Sequence, residues 1–104
     1  IDMKERVLNM AKVTEVIIRR GYRDDNIIRA VVSATLDDMY VIHGIKILNE
    51  NDRYYIAMPS VMLKEGRYKD IFHPLTTKAR HILQKEVLEL YFSQREKHGR
   101  GSVE

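Results

Sequence analysis

The segment from Ile28 to Asp37 alternates apolar and polar residues more regularly than any other part of the chain. One face carries Ile28, Ala30, Val32, Ala34 and Leu36, and the other carries Arg29, Ser33, Thr35 and Asp37, interrupted only by Val31. A period of two is that of an extended strand, whose successive side chains point to opposite faces. The alternation therefore predicts a half-buried antiparallel strand.

Further strands are predicted on both sides of this segment. They are residues 13–20 (VTEVIIRR, rich in β-branched side chains), 40–48 (YVIHGIKIL), 54–59 (YYIAMP, ended by Pro59), and 68–73 (YKDIFH) as a short fifth strand or an extended segment. Residues 40–48 are apolar on both faces, which favours a central strand or a partner on the second face. Short turns at GYRDDN, Asp37-Asp38 and NENDR join the strands, so we expect a meander.

The periodicity changes at Thr76 to that of a helix. The predicted apolar stripe consists of Ala79, Ile82, Leu83, Val87, Leu90 and Tyr91. Thr76 or Thr77 can act as the N-cap, and the helix is expected to run to about Lys97, with Gly99 just beyond it. The sequence therefore predicts an α+β fold: an antiparallel four- to five-stranded meander with a C-terminal α-helix packed on it.

The length of 104 residues fits one domain. We expect a single domain over residues 10–98 and a flexible tail over 99–104. Residues 1–9 are expected to form a tail or short helix, with Met10 as a possible natural start. The chain has no cysteine and no window of apolar residues long enough to span a membrane. These features favour a cytoplasmic protein without a membrane contact.

Residues that could carry catalysis are present but not in catalytic patterns. His43, His73, His81 and His98 lack zinc-site spacing, Ser33, Ser60 and Ser93 lack a nucleophile context, and Gly21, Gly44 and Gly66 are isolated. The pairs Asp24-Asp25 and Asp37-Asp38 lie in predicted turns, where Asp is favoured for its local hydrogen bonds. His43 is expected to be a satisfied core or interface histidine. We therefore expect no enzymatic activity, metal, cofactor or small-molecule substrate.

The positive charge is concentrated in the second half of the chain. Residues 1–59 hold nine Lys/Arg and nine Asp/Glu, whereas residues 60–104 hold nine and six. The candidate nucleic-acid-binding residues are Lys64, Arg67, Lys69, Lys78, Arg80 and Lys85. Tyr68 and Phe72 alternate with charges and could stack on bases. The residues alone leave two interpretations open, a phosphate-binding patch or a solvated rim whose aromatic residues belong to the core, and they favour the rim.

Several motifs together resemble the stage V sporulation protein G (SpoVG, septation protein) family. They are VTEVIIRR, RAVVSATLDD, YVIHGIKIL, YIAMPS, GRYKDIFHPL and a helix beginning TTKAR. The resemblance covers Val13 to Tyr91. It implies a bacterial cytoplasmic homodimer, formed largely through sheet edges, that binds DNA and possibly RNA and regulates septation, sporulation and gene expression.

One position departs from the family pattern. Where the family commonly has a Lys-Arg pair after Met-Pro-Ser, this chain has Val61-Met62. Because Val61 and Met62 carry no charge, we expect the nucleic-acid contact that the resemblance implies to be made by the six cations named above. Of these, Lys69 and Arg80 lie within the stretches that match the family. The alternative is a protein-interaction module in cell-division regulation, with Val61-Met62-Leu63 as its docking strip.

Overall fold

The computed structural model describes residues 12–101, with side chains as far as Glu96. Its elements are β1 (Val13–Gly21), β2 (Ile28–Leu36), β3 (Tyr40–Glu50), β4 (Arg53–Ala57), β5 (Ser60–Met62), β6 (Tyr68–Asp70) and α1 (Thr77–Gly101). Strands β1 to β4 form an antiparallel sheet in chain order, and β5 pairs with β6 as a separate hairpin. The α+β prediction is confirmed. The predicted tail at residues 1–9 lies outside the described residues.

Two tight turns set the meander. Asp37 and Asp38 join β2 to β3, and Asn51 and Asp52 join β3 to β4. All four residues have positive φ, between 52° and 63°. Two successive residues of this kind form the turn whose twist matches an antiparallel hairpin, and Asn and Asp tolerate it better than other non-glycine residues. The turns predicted at these positions are confirmed.

One bulge in β2 alters the faces that strict alternation predicts. The register of β2 on β3 shifts between Ile28 and Ala30, so Ile28 lies opposite Leu48 while Ala30 lies opposite Ile47. Because directly opposed residues share a face, Ile28 lies on the face opposite Ala30. The prediction that Ile28 lies on the core face is therefore wrong, since an extra residue in a strand reverses the alternation.

The core lies between the sheet and one stripe of α1. Val32, Ala34, Ile45 and Ile47 are completely buried, and the helix contributes the buried Leu83, Val87 and Tyr91. The predicted stripe is confirmed at these three residues and at Leu90, which packs partly buried against the core, but Ala79 and Ile82 are exposed. Burying an aliphatic side chain contributes roughly 1.5–3 kcal/mol, so these contacts dominate helix docking.

Polar side chains of α1 bond to both edges of the sheet. Gln84 accepts from the N–H of Ile56 on β4 at 3.1 Å, and Glu86 accepts from the N–H of Val13 on β1 at 2.9 Å. One helix therefore bonds to both edge strands of the sheet, through side chains on opposite sides of its axis.

The ends of α1 differ in how well the sequence predicts them. The Thr76 hydroxyl accepts from the N–H of Ala79 at 3.0 Å, which confirms the predicted N-cap. The predicted C-terminal boundary is wrong, because the helix continues past Lys97 and Gly99 to Gly101. A glycine is permitted in a helix interior at a cost of roughly 1 kcal/mol.

Aromatic residues fix the second half of α1 to β4. The rings of Tyr54 and Phe92 meet edge to face at 4.8 Å, and Arg95 donates to the Tyr54 hydroxyl at 3.1 Å. Burial raises the pKa of the Tyr91 hydroxyl, and Arg95 opposes this only in part. Burial also acts to raise the pKa of Tyr54, but hydrogen bonds with Asn49 and Arg95 outweigh it, so this pKa is lowered.

Candidate nucleic-acid interface

The segment between Pro59 and Pro74 forms a small hairpin that the sequence only partly predicts. Pro59 is buried and follows β4, after which β5 pairs with β6 through Val61 opposite Lys69. The strand β5 was missed, because three residues are too few to show a periodicity. Ile71 donates its N–H to the carbonyl of Pro59 at 2.9 Å, which closes the base of the hairpin.

Three of the predicted cations lie on this hairpin. Lys64 and Arg67 flank the turn, in which Gly66 has a φ of +83°, and Lys69 lies on β6. The N–H of Leu63 donates to the carbonyl of Arg67, which fixes the turn. Since the two strands are only three residues long, all three cations lie within a short distance along one hairpin.

The other three predicted cations lie on the first half of α1, on two different sides. At about 100° per residue, Lys78 and Lys85 are only ~20° apart and lie on the side away from the buried stripe. Arg80 is ~160° from Lys78 and shares the stripe of the buried Val87. Arg80 is nevertheless exposed, because the start of the helix is not covered as its middle is. Helix geometry therefore brings Lys78 and Lys85 together but not Arg80.

All six predicted cations are exposed to solvent. Within residues 12–96, Arg67 alone among the six forms an ion pair, with Glu65 at 3.6 Å. Both of those side chains are about two-thirds exposed, and exposed pairs of this kind contribute roughly 0–1 kcal/mol. These side chains are therefore available to an external anion. The first turn of α1 also contains no acidic residue that would repel one.

The two aromatic residues proposed for base stacking differ in their positions. Tyr68 is 71% exposed on β6. Phe72 instead packs against the hydrophobic core. The prediction that both could stack on bases is therefore wrong for Phe72, which belongs to the core as the alternative interpretation held, while Tyr68 stays a candidate.

An apolar groove borders the base of the hairpin. It is an open groove lined by Leu36, Tyr40, Val41, Ile42, His43, Pro59, Ile71 and Phe72. Tyr40 and Ile71 are each more than 60% exposed, as is Met62 on the adjoining β5. Contiguous exposed apolar side chains of this kind mark an interaction surface more often than isolated ones do.

A polar cluster that sequence reasoning missed lies on the sheet face opposite α1. Arg19 donates its Nε–H to the Ser33 hydroxyl at 3.0 Å, and that hydroxyl lies 2.8 Å from Nδ1 of His43. Ser33 is only 2% exposed, whereas Arg19 and His43 are exposed. His43 is therefore satisfied by a hydrogen bond, as expected, but it is not in the core. The only sequence signal was Ser33 on the polar face of β2.

The described residues show neither a metal-binding cluster nor a membrane-spanning helix. In residues 12–96, no three His, Asp or Glu side chains are grouped so that they could hold a metal ion. In the same part of the chain, α1 is too polar to cross a membrane.

These features define a class: a small α+β domain in which one helix docks on a four-stranded antiparallel meander and a separate hairpin exposes a basic turn. A family model described as SpoVG matches residues 11–93. Since this match covers most of the chain, the protein belongs to the SpoVG family.

Three relatives are each called "Putative septation protein SpoVG". The protein of Caldanaerobacter subterraneus subsp. tengcongensis is 41% identical over 85 residues, covering 82% of this chain and 92% of the relative. That of Lachnospira eligens is 44% identical over 79 residues, covering 76% and 89%. That of Treponema denticola is 39% identical over 80 residues, covering 77% and 85%.

Proposed function

We propose that this protein is a dimeric nucleic-acid-binding regulator in the bacterial cytoplasm, with a role in septation. The observation that carries the proposal is the exposed basic hairpin, on which Lys64, Arg67 and Lys69 are presented by one fixed turn. Phosphate contacts by Lys and Arg supply most of the sequence-independent affinity for DNA and RNA. The names of the relatives supply the septation role.

The helix cations extend this surface rather than form one row with the hairpin. Lys78 and Lys85 lie on the outer side of α1, and Arg80 lies on another side near its start. Lys69 on the hairpin and Arg80 near the start of α1 lie within the stretches that resemble the family, so these two cations are the first to test. The free N–H groups of the first helical turn favour a phosphate at the same place.

Dimerisation is supported by the apolar surface around the hairpin. A two-stranded hairpin is only marginally stable alone in water, and this one exposes Val61 and Met62. A second copy of the chain would cover these residues together with Tyr40 and Ile71 of the neighbouring groove. Sheet edges are the other surface that a second copy could use: β1 and β4 are the edge strands, and α1 bonds to N–H groups on both.

The test is a binding titration of the double variant Lys69→Gln/Arg80→Gln against labelled duplex DNA and RNA. Each phosphate contact contributes a log–log salt slope of about −0.9 on duplex DNA. We expect the double variant to bind more weakly, and its slope of log affinity against log salt concentration to be shallower by about 1.8, since two contacts are removed. The matched control is Lys12→Gln/Arg23→Gln, which removes the same charge at exposed positions elsewhere. Equal slopes for the two variants would contradict the proposal.

The alternative of a protein-interaction module is favoured by one observation. Val61 and Met62 are 44% and 62% exposed, at the place where the resemblance implies two cations. Leu63, the third residue of the predicted strip, is partly buried. Capture of a partner that survives nuclease treatment and is lost on Val61→Asp would support this alternative. Capture that nuclease abolishes would favour nucleic acid as the bridge.

A further inference from the structure

We propose that the outer face of the sheet, the face turned away from α1, is a second contact surface for single-stranded nucleic acid. The donors on this face are Arg19, Arg20, His43 and Lys46. This inference rests on the proposed function and extends it to residues outside the six predicted cations.

Strand register places these donors together. Arg20 lies opposite Val31, and Val31 lies opposite Lys46, so the three residues form one row across β1, β2 and β3. At ~4.8 Å per strand, the backbones of Arg20 and Lys46 are about 10 Å apart. Val31 is on the outer face because its neighbours Ala30 and Val32 are buried beneath the sheet. The row therefore presents two cations outward.

The next row along the sheet holds the Arg19–Ser33–His43 cluster. A guanidinium only donates, so the Ser33 hydroxyl that accepts from Arg19 retains its own proton. That proton is free to go to Nδ1 of His43, 2.8 Å away. The remaining ring nitrogen of His43 then carries a hydrogen. Arg19 and His43 thus both offer donors to solvent, held in place by one buried hydroxyl.

The charge of this face suits a phosphate chain. Within residues 12–96, none of Arg19, Arg20 and Lys46 takes part in an ion pair. Glu15 lies on this face opposite Thr35, and Glu50 lies on it opposite Arg53 and accepts a hydrogen bond from the Tyr55 hydroxyl at 3.2 Å. The guanidinium of Arg20 lies 4.9 Å from the centre of the Tyr22 ring. The Arg20 side chain is nevertheless exposed to solvent.

The apolar side chains between the cations favour a single strand over a duplex. The outer face also carries the partly buried Ile28, Leu48 and Tyr55, which register places in a line across β2, β3 and β4. Unpaired bases can pack on such a surface while the phosphates meet the cations.

The test is a titration of full-length protein against labelled single-stranded DNA and RNA pools. The variants are Arg19→Gln, Lys46→Gln and, as matched control, Arg23→Gln, which lies in the exposed β1–β2 connection. Each phosphate contact on a single strand contributes about −0.7 to the slope of log affinity against log salt concentration. At 0.1 M salt this corresponds to roughly a fivefold gain in affinity for each contact. We expect Arg19→Gln and Lys46→Gln each to lose about that factor, and Arg23→Gln to bind as wild type does.

Ser33→Ala tests the positioning role separately. The ¹⁵N chemical shifts of the His43 ring report which nitrogen carries the hydrogen. We expect the tautomer with the hydrogen on Nε2 in the wild type, and a weaker preference for that tautomer in Ser33→Ala. Single-strand affinity should fall in the same variant while its thermal unfolding stays cooperative.

The outcomes separate this inference from the proposed function. If the wild type binds but Arg19→Gln and Lys46→Gln bind as tightly as Arg23→Gln, the outer face is not a contact surface and the hairpin proposal stands. A change of oligomeric state in Arg19→Gln with unchanged affinity would assign the face to a second copy of the chain and overturn the inference. If the wild type binds no nucleic acid, both proposals fail.

Discussion

The N–H of Val13, at the start of the first strand, donates to the carboxylate of Glu86 in the last helix at 2.9 Å. The two residues are 73 positions apart in the chain. On the opposite side of the same helix, Gln84 accepts from Ile56. The helix is therefore held laterally by hydrogen bonds to both edge strands as well as by its buried stripe.

Replacing Glu86 with alanine tests this lateral hold. The substitution leaves the partly buried N–H of Val13 without its acceptor, which costs about 1–3 kcal/mol. Glu86→Gln retains an acceptor oxygen and should cost less. Urea unfolding measures both, with the exposed Glu89→Ala as control. Equal stability of Glu86→Ala and Glu89→Ala would show that the bond contributes nothing.

Gly44→Ala should destabilise the sheet through backbone strain. Gly44 has a φ of +85°, at the bulge where β3 passes Ser33. An added Cβ would lie 3.5 Å from Cβ of Pro59, which is ordinary contact, so the cost is conformational, about 1–3 kcal/mol.

Gly21→Ala is the matched control for that variant, because Gly21 has ordinary φ and open space around it. We expect it to change thermal stability little. A Gly44→Ala protein as stable as Gly21→Ala would contradict the bulge geometry.

Alkaline pH should separate two tyrosines that face the same arginine. The pKa of Tyr91 is raised, so its contribution to stability is complete below pH 10 and is lost as the pH rises through the pKa of the folded state. The pKa of Tyr54 is lowered, so its contribution is present above pH 10 and is lost as the pH falls through its folded-state pKa.

Urea unfolding between about pH 8 and 11 should therefore show a shallower alkaline decline for Tyr91→Phe than for the wild type, and a steeper decline for Tyr54→Phe. The difference in slope is the relevant measurement, since both variants also change packing. Parallel pH profiles for the two variants would contradict the assignment.

Met62→Asp should weaken dimerisation while leaving the domain folded. Met62 is 62% exposed on β5, so the charge costs little in a single copy and much in a covered interface. Sedimentation over a range of concentrations measures the change, with Glu65→Gln in the hairpin turn as control. A wild type that is monomeric at all concentrations would refute the dimer.

The sequence predicts those features of the fold that depend on neighbouring residues. The alternation through Val32 and Ala34, the Asp37-Asp38 turn and the Thr76 cap are local, and each is present. The register shift that moves Ile28 is set by pairing with Leu48 on another strand. A pattern within one strand carries no information on such a shift.

The candidate nucleic-acid interface is likewise predictable from the sequence only where it depends on neighbouring residues. The exposure of the hairpin cations could be predicted from their charge and turn position. The different sides taken by Arg80 and Lys78 follow from helix geometry once the helix is placed. The Arg19–Ser33–His43 cluster joins three strands across a sheet, so no spacing in the sequence indicates it.

The central claim is that exposed cations on the hairpin and at the start of α1 bind nucleic acid. The most direct test is the affinity of the wild-type protein for random DNA and RNA pools at about 50 mM and 200 mM salt. If six phosphates are contacted, affinity should fall by roughly 10³-fold across this range. Binding that is absent, or unchanged by salt, would contradict the claim.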